Sequence, residues 1–162
     1  PSTRAGGSGL DAALKGVEIG GLPPALVDGG RRWWVVECAS EAAVRGWQPD
    51  HAAIRELALA TGSMGICAFA RSTGADYQLA VRAFGAGAGI IEDPASGAAN
   101  GLLAAYLAQR EPQGPLARGY VVSQGREMGY DAQLVVRIDG GDVWVGGRTN
   151  NVIEGQLHWP AG

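Results

Sequence analysis

Histidine and cysteine are scarce in this chain: His51 and His158, Cys38 and Cys67, among 162 residues. Neither cysteine belongs to a CxxC pair, so a zinc site at the usual ligand spacing has no support. Both thiols lie in apolar, strand-like runs (33–38 and 64–70), where a free cysteine behaves as a small buried hydrophobe. Excess positive charge is missing too. Thirteen basic residues face 16 acidic ones, a formal net charge of −3. That balance excludes the electrostatic footprint of a nucleic-acid binder and any polybasic membrane patch. The longest apolar run, residues 101–108, falls far short of the ~20 residues that a membrane span needs. Residues 1–9 contain Ser and Gly but no apolar stretch, so no export signal and a cytoplasmic setting are expected. The first residue is Pro1, which makes a processed, trimmed or partial chain the expectation.

What is present favours one folded domain. Apolar residues make up 46%, enough for a core, and charged residues only 18%. Glycine fills 27 positions without a G-X-Y period, which excludes collagen and points to tight turns and close backbone approaches. Residues 1–9 read as a flexible lead-in to a single domain over 10–162. A strand is predicted over 32–38 after the Asp28-Gly29-Gly30 turn, and Ser40 and Asp50 cap helices over 41–46 and 51–61. Strands follow over 64–70 and 77–84, and then a Gly-rich loop, 85–89. A helix covers 97–109, and the rest reads as strands over 120–124, 133–138, 143–145 and 151–159. Neither low complexity nor a short internal repeat occurs. Five tryptophans (33, 34, 47, 144 and 159) are scattered over several strands and read as core and interface residues. His51 and His158 read as packing or surface residues.

The helix over 97–109 decides the architecture. From Gly97 to Ala108, Asn100 is the one strongly polar side chain, and Tyr106 is amphipathic. A helix with no polar face is buried on all sides, and this one is too short for a bilayer. Strands dominate the surrounding sequence, so the economical fold is α+β, a curved sheet or barrel around one central helix.

The residues that open this helix carry the chemistry: Glu92-Asp93-Pro94-Ala95-Ser96-Gly97-Ala98-Ala99-Asn100-Gly101. The first amides of a helix have no internal acceptor, and the helix dipole adds roughly half a positive charge there. In a central helix that end opens into a hollow, where the amides of Gly97 and Ala98 can hold a carboxylate. Pro94 stiffens the approach. Asp93 stands where it can cap the helix or serve as an acid/base group beside the bound anion, and local sequence leaves both roles open.

This decapeptide resembles the EDPxTG(S/A)AxG signature of the phenazine-biosynthesis PhzF family. Other segments resemble that family in its order. They are Tyr77-Gln78-Leu79-Ala80-Val81-Arg82-Ala83-Phe84 before the signature, residues 102–107 for its LAAYL helix, and Ser123-Gln124-Gly125-Arg126-Glu127-Met128-Gly129 for its QGxxMGR segment. Closing hairpins at 140–147 and 155–157 extend the resemblance from about residue 20 to 159. It covers the carboxy-terminal half of a family whose members have two similar domains of diaminopimelate-epimerase-like fold.

The resemblance implies isomerase chemistry. A proton moves between carbons of a small carboxylated substrate, in the cleft between halves, without metal or organic cofactor. It implies Asp93 as the active-site aspartate, with Ser96, Gly97, Ala98, Gln124 and Gly125 at substrate-binding positions. Two departures stand out: Ala98 replaces the Ser of many members, and Tyr130 replaces the Arg after Met128-Gly129. The family's catalytic glutamate and GHxT-type histidine belong to the amino-terminal half, and no ETTF-like or GHxT-like run occurs here. The chain is therefore expected to hold half a site. An amino-terminal half or a second copy would complete it, and an apolar patch and pairing are expected. Two alternatives stand beside the isomerase. One is a silent carboxylate-binding or interaction domain of the same fold. The other is an amino-acid racemase or epimerase, whose usual paired cysteines at the helix starts are here replaced by Ser96 to Ala98.

Overall fold

The structure, a computed structural model, describes residues 7–74 and 76–159. Its strands form a seven-stranded sheet in chain order: β1 (Ala25–Asp28), β2 (Arg32–Glu37), β3 (Ile66–Arg71), β4 (Leu79–Phe84), β5 (Gly119–Gln124), β6 (Ala132–Asp139) and β7 (Asp142–Gly147). The pairs β2–β3 and β4–β5 are parallel and the others antiparallel. A parallel pair needs a crossover. The first carries α2 (Glu41–Gly46) and α3 (His51–Thr61), and the second carries α4 (Gly97–Arg110).

Strand direction decides where these helices lie. Because β3 and β4 are antiparallel, the second crossover leaves a strand of opposite direction while stepping the same way across the sheet. Right-handed connections then put the two helical layers on opposite faces. On one face α2, α3 and a short first helix, α1 (Ser8–Ala13), pack through Leu10, Val44, Ile54 and Leu57. On the other, α4 packs through Leu102, Leu103, Tyr106 and Leu107. Strands between the layers are apolar on both sides. In β3, Ile66, Ala68 and Ala70 meet the first layer, whereas Cys67 and Phe69 meet the α4 side. β6 has only one covered face: Leu134 and Val136 are buried, and Val135 is exposed.

The sheet curls around α4, which touches β1, β2, β3, β6 and β7. The expected α+β fold, a curved mixed sheet around one helix, is the fold observed. The two sequence-assigned caps are also in place. Ser40 accepts from the Ala43 amide at 3.0 Å, and Asp50 accepts from those of Ala52 and Ala53 at 2.9 and 3.1 Å.

Several expectations need correction. α4 is not enclosed on every side. Gly97 and Ala98 are exposed, and Gly101, Ala105 and Ala108 form a half-buried stripe. Beside that stripe Leu102 lies against Gly29 of the β1–β2 turn, and Gly101 lies near Val145 of β7. Of the lead-in, residues 1–6 lie outside the described residues, whereas Ser8 and Gly9 belong to α1, which docks through Leu10 and Ala13. β1 is an additional strand that local sequence does not signal, because Ala25–Asp28 is a short run after Pro23-Pro24. Residues 151–159 form no strand. Their apolar residues supply strand propensity, but β7 pairs only with β6 and no ladder partner reaches the segment. Trp33, Trp34 and Trp47 are core residues, whereas Trp144 and Trp159 are 58% and 83% exposed.

Candidate functional site

β4 and β5 end, and β2 and β3 begin, at one rim of the sheet, as the pairs Val81↔Gln124, Ile66↔Phe84 and Trp34↔Ile66 fix. The chain leaving β4 turns there and enters α4, so the helix N-terminus opens at the same rim. Ser96 is the N-cap, and its Oγ accepts from the Ala99 amide at 3.3 Å. The Ser96 amide is taken by Gln124 Oε1 at 3.4 Å. Among the described residues, the Gly97 and Ala98 amides have no acceptor. Both residues are exposed. Two first-turn donors therefore face outward from the positive end of a 14-residue helix.

Asp93 lies before them, partly buried. Its amide donates to the Ala83 carbonyl at 2.8 Å, which ties it to the end of β4. Its Oδ1 accepts from the Ala95 amide at 3.0 Å, which shapes the turn through Pro94. Its carbonyl accepts from Gln124 Nε2 at 2.6 Å. Gln124 is wholly buried, and its Oε1 also accepts from Asn100 Nδ2 at 2.8 Å. Asn100, equally buried, donates from the same nitrogen to the Ser96 carbonyl at 2.8 Å. Both ends of the Gln124 amide are thus consumed inside the protein, so its side chain braces the site from below. Gly125 has φ +87°, and a Cβ there would lie 2.7 Å from the Pro94 carbonyl oxygen. It too acts through packing, by letting the 93–96 turn seat against β5.

Glu92 is held as firmly. Arg82 donates from Nε to its Oε1 at 2.9 Å and from Nη2 to its Oε2 at 2.8 Å, with both side chains under a tenth exposed. Arg82 Nη1 reaches the carbonyls of Val44, Arg45 and Trp47, where α2 ends. Arg82 is the one charged side chain of β4, on the face that meets α2. That face is covered by a helix end instead of solvent, so the arginine becomes a clamp between α2 and the residue preceding Asp93. Nothing local to Arg82 or Asn100 reveals these contacts, since each lies in an otherwise apolar element and meets partners distant in the chain. The one local sign was Glu92, adjacent to Asp93.

Two loops flank the helix start. In residues 85–90 the amides of Ala88 and Ile90 donate to the Gly85 carbonyl at 2.9 and 3.0 Å. In residues 125–130 those of Met128 and Tyr130 donate to the Gly125 carbonyl, both at 3.0 Å. Gly89 and Gly129 have φ +77° and +81°. The backbone thus repeats itself where the sequence has no repeat beyond two glycines. Ile90, Ile91, Met128 and Tyr130 are exposed on these loops. The second loop is tethered to α2, because Arg45 meets Glu127 at 2.8 Å, Glu41 at 2.7 Å and Ser123 at 3.0 Å. Burial pushes the Glu41 carboxyl upward, but hydrogen bonds from Tyr77 and Arg45 outweigh it and hold the group down at about 2.

The remaining candidates lie elsewhere. Cys38 and Cys67 are buried free thiols, each pushed up to about 12 chiefly by burial. His51 packs against the Phe84 ring at 5.9 Å between centroids, and His158 is exposed. Among the described residues no group of His, Cys, Asp and Glu could hold a metal ion. No helix among them is long and apolar enough to cross a membrane.

A family model described as phenazine biosynthesis-like protein (PhzC-PhzF) matches residues 4–155. No curated protein matches the chain. A PhzF-family structure from Enterococcus faecalis has 23% identity and a TM-score of 0.63 over 91% of this chain and 50% of its own. One from Bacillus anthracis has 21% identity and a TM-score of 0.67 over 87% and 51%. A predicted epimerase from Pseudomonas aeruginosa has 18% identity and a TM-score of 0.61 over 94% and 56%. At these identities the likeness establishes the fold. The chain spans about half the length of the solved structures that it matches.

Proposed function

This chain belongs to the phenazine biosynthesis-like family, and from that premise we propose that it is one half of a cofactor-independent isomerase acting on a small carboxylated metabolite. The substrate carboxylate sits on the Gly97 and Ala98 amides, stabilised by the partial positive charge of the α4 N-terminus. Asp93 is the polar acid/base partner. The reaction takes a proton from one carbon and returns it to another, with a glutamate from an amino-terminal half or a second copy as the other acid/base group. The observation that carries this reading is the pair of open amides at the α4 start beside a carboxylate whose backbone is locked at the Ala83 and Gln124 contacts. Ala98 brings a methyl group where a hydroxyl would add a further contact, so substrate binding here relies on the backbone.

The exposed apolar residues Ile90, Ile91, Met128 and Tyr130, on the two loops beside the helix start, support pairing at this face. The buried thiols of Cys38 and Cys67, both at about 12, speak against racemase chemistry through thiolates. The test mixes the chain with an amino-terminal-half polypeptide of the family and follows entry of solvent deuterium into small carboxylated substrates. Exchange that falls about 10²–10⁴-fold in Asp93→Asn supports the isomerase. Tight binding without exchange would reassign the chain as a silent carboxylate-binding domain.

A further inference from the structure

A second part of the same rim takes no part in the reaction above. The β1–β2 turn and the link from α3 to β3 border an open cleft of about 410 Å3, with Arg31, Arg32, Ser63 and Met64 in its wall. Arg45, Arg71, Arg82 and Arg126 each meet a carboxylate. Among the described residues, Arg31 and Arg32 meet none; Arg55, Arg110, Arg118, Arg137 and Arg148 meet none either, but only Arg31 and Arg32 line this cleft. These two residues are exposed, and both line the cleft. Arg31 Nη1 lies 3.4 Å from Met64 Sδ. The Arg32 guanidinium lies over Gly62, which has φ +59° and where a Cβ would collide with Nη2.

Asp28 also lines the cleft, and its Oδ1 accepts from the Gly30 amide at 3.3 Å. Two cations against one carboxylate leave the cleft positive in a chain whose net charge is −3. Arg32 beside the C-terminal end of α3 gains from the helix dipole, which accounts for one of the two cations. It does not account for Arg31, which reaches the same cleft from the turn. A guanidinium offers planar, paired donors that match the oxygens of a carboxylate or phosphate. The Ser63 hydroxyl, 3.0 Å from Thr61 Oγ1, adds a third polar group to the wall.

From this arrangement we infer that the cleft is an oxyanion site, in which Arg31 and Arg32 take a carboxylate or phosphate group. The inference stands apart from the isomerase reading and does not depend on it. Titration of the ¹⁵N-labelled full chain with inorganic phosphate, and separately with succinate, tests it through backbone amide shifts. Saturable shifts centred on Gly30, Arg32, Gly62 and Ser63 are expected with at least one of the two anions. Which anion binds more tightly separates a phosphate source from a carboxylate one. The Arg31→Gln/Arg32→Gln double variant should bind about tenfold more weakly, or worse. Asp28→Asn, which removes the one carboxylate in the wall, should bind more tightly, and it tests the charge argument even if the double variant misfolds. Absence of saturable shifts at these amides with both anions would overturn the inference, as would unaltered affinity in either variant.

Discussion

Replacing Arg82 by Met keeps much of the aliphatic stem and removes the guanidinium that clamps Glu92. Five hydrogen bonds disappear: two to the Glu92 carboxylate at 2.9 and 2.8 Å, and three to the carbonyls of Val44, Arg45 and Trp47 at 3.2, 3.4 and 2.6 Å. The Glu92 side chain, only 8% exposed, is left as an unpaired buried charge. Breaking a buried pair from one side costs about 3–5 kcal/mol, a large share of the ~5–15 kcal/mol that holds a domain folded. Glu92→Gln strands the Arg82 cation instead and sets an amide NH2 against one of its two donors, so it should also cost about 3–5 kcal/mol, eased by the three carbonyls that Arg82 keeps. The double variant Arg82→Met/Glu92→Met strands no charge and should regain part of the loss. Urea denaturation followed by tryptophan fluorescence measures all three as shifts in midpoint at constant slope. A loss below about 1 kcal/mol for Arg82→Met would refute the reasoning. So would a double variant no more stable than that single one.

Glycines with similar backbones but different surroundings separate strain from collision. Gly129→Ala meets open space at φ +81° and should cost about 1–2 kcal/mol of backbone strain. Gly125→Ala adds a Cβ 2.7 Å from the Pro94 oxygen, so it should cost clearly more and displace the 93–96 turn. Equal losses would deny the contact with Pro94. The folded value of Glu41, about 2, lies below its ordinary 4.5, so its stabilising contribution is present above pH 4.5 and is lost as pH falls towards 2. The midpoint difference between the native sequence and Glu41→Gln should shrink across that window, and a gap independent of pH would contradict the Tyr77 and Arg45 contacts. Cys38 and Cys67, both at about 12, should react with a thiol reagent at pH 8 only as fast as the chain opens. Rapid labelling of the folded protein would show that they are not buried.

The site itself is built from contacts of very different range. The donors at Gly97 and Ala98 follow from helix geometry alone, since any α-helix leaves its first amides unpaired. Fixing Asp93 beside them needs β4 through Ala83, β5 through Gln124, and α2 through Arg82 and Glu92. A change in α2 or β5 can therefore reach the site without touching a ligand.

Local chemistry determined a great deal. Ser40 and Asp50 begin helices because their side chains satisfy first-turn amides, and that information lies within three residues. The segment from Gly97 to Ala108, with Asn100 its one strongly polar side chain, pointed to a helix packed among strands, although its start is exposed, and the residues that open it pointed to the candidate site. What lay outside the sequence was pairing. Residues 151–159 have the apolar content of a strand, yet forming one depends on a free edge reached by the chain, which no local pattern encodes. Arg82 is the one charged residue of an apolar strand, and the resemblance implies a substrate contact for Gln124. Each is buried, because the crossovers bring α2 against β4 and the start of α4 against β5, tens of residues away in the chain. Hydrogen bonds over such separations arise only once the sheet order is set, and so tertiary structure alone assigned these two residues their places.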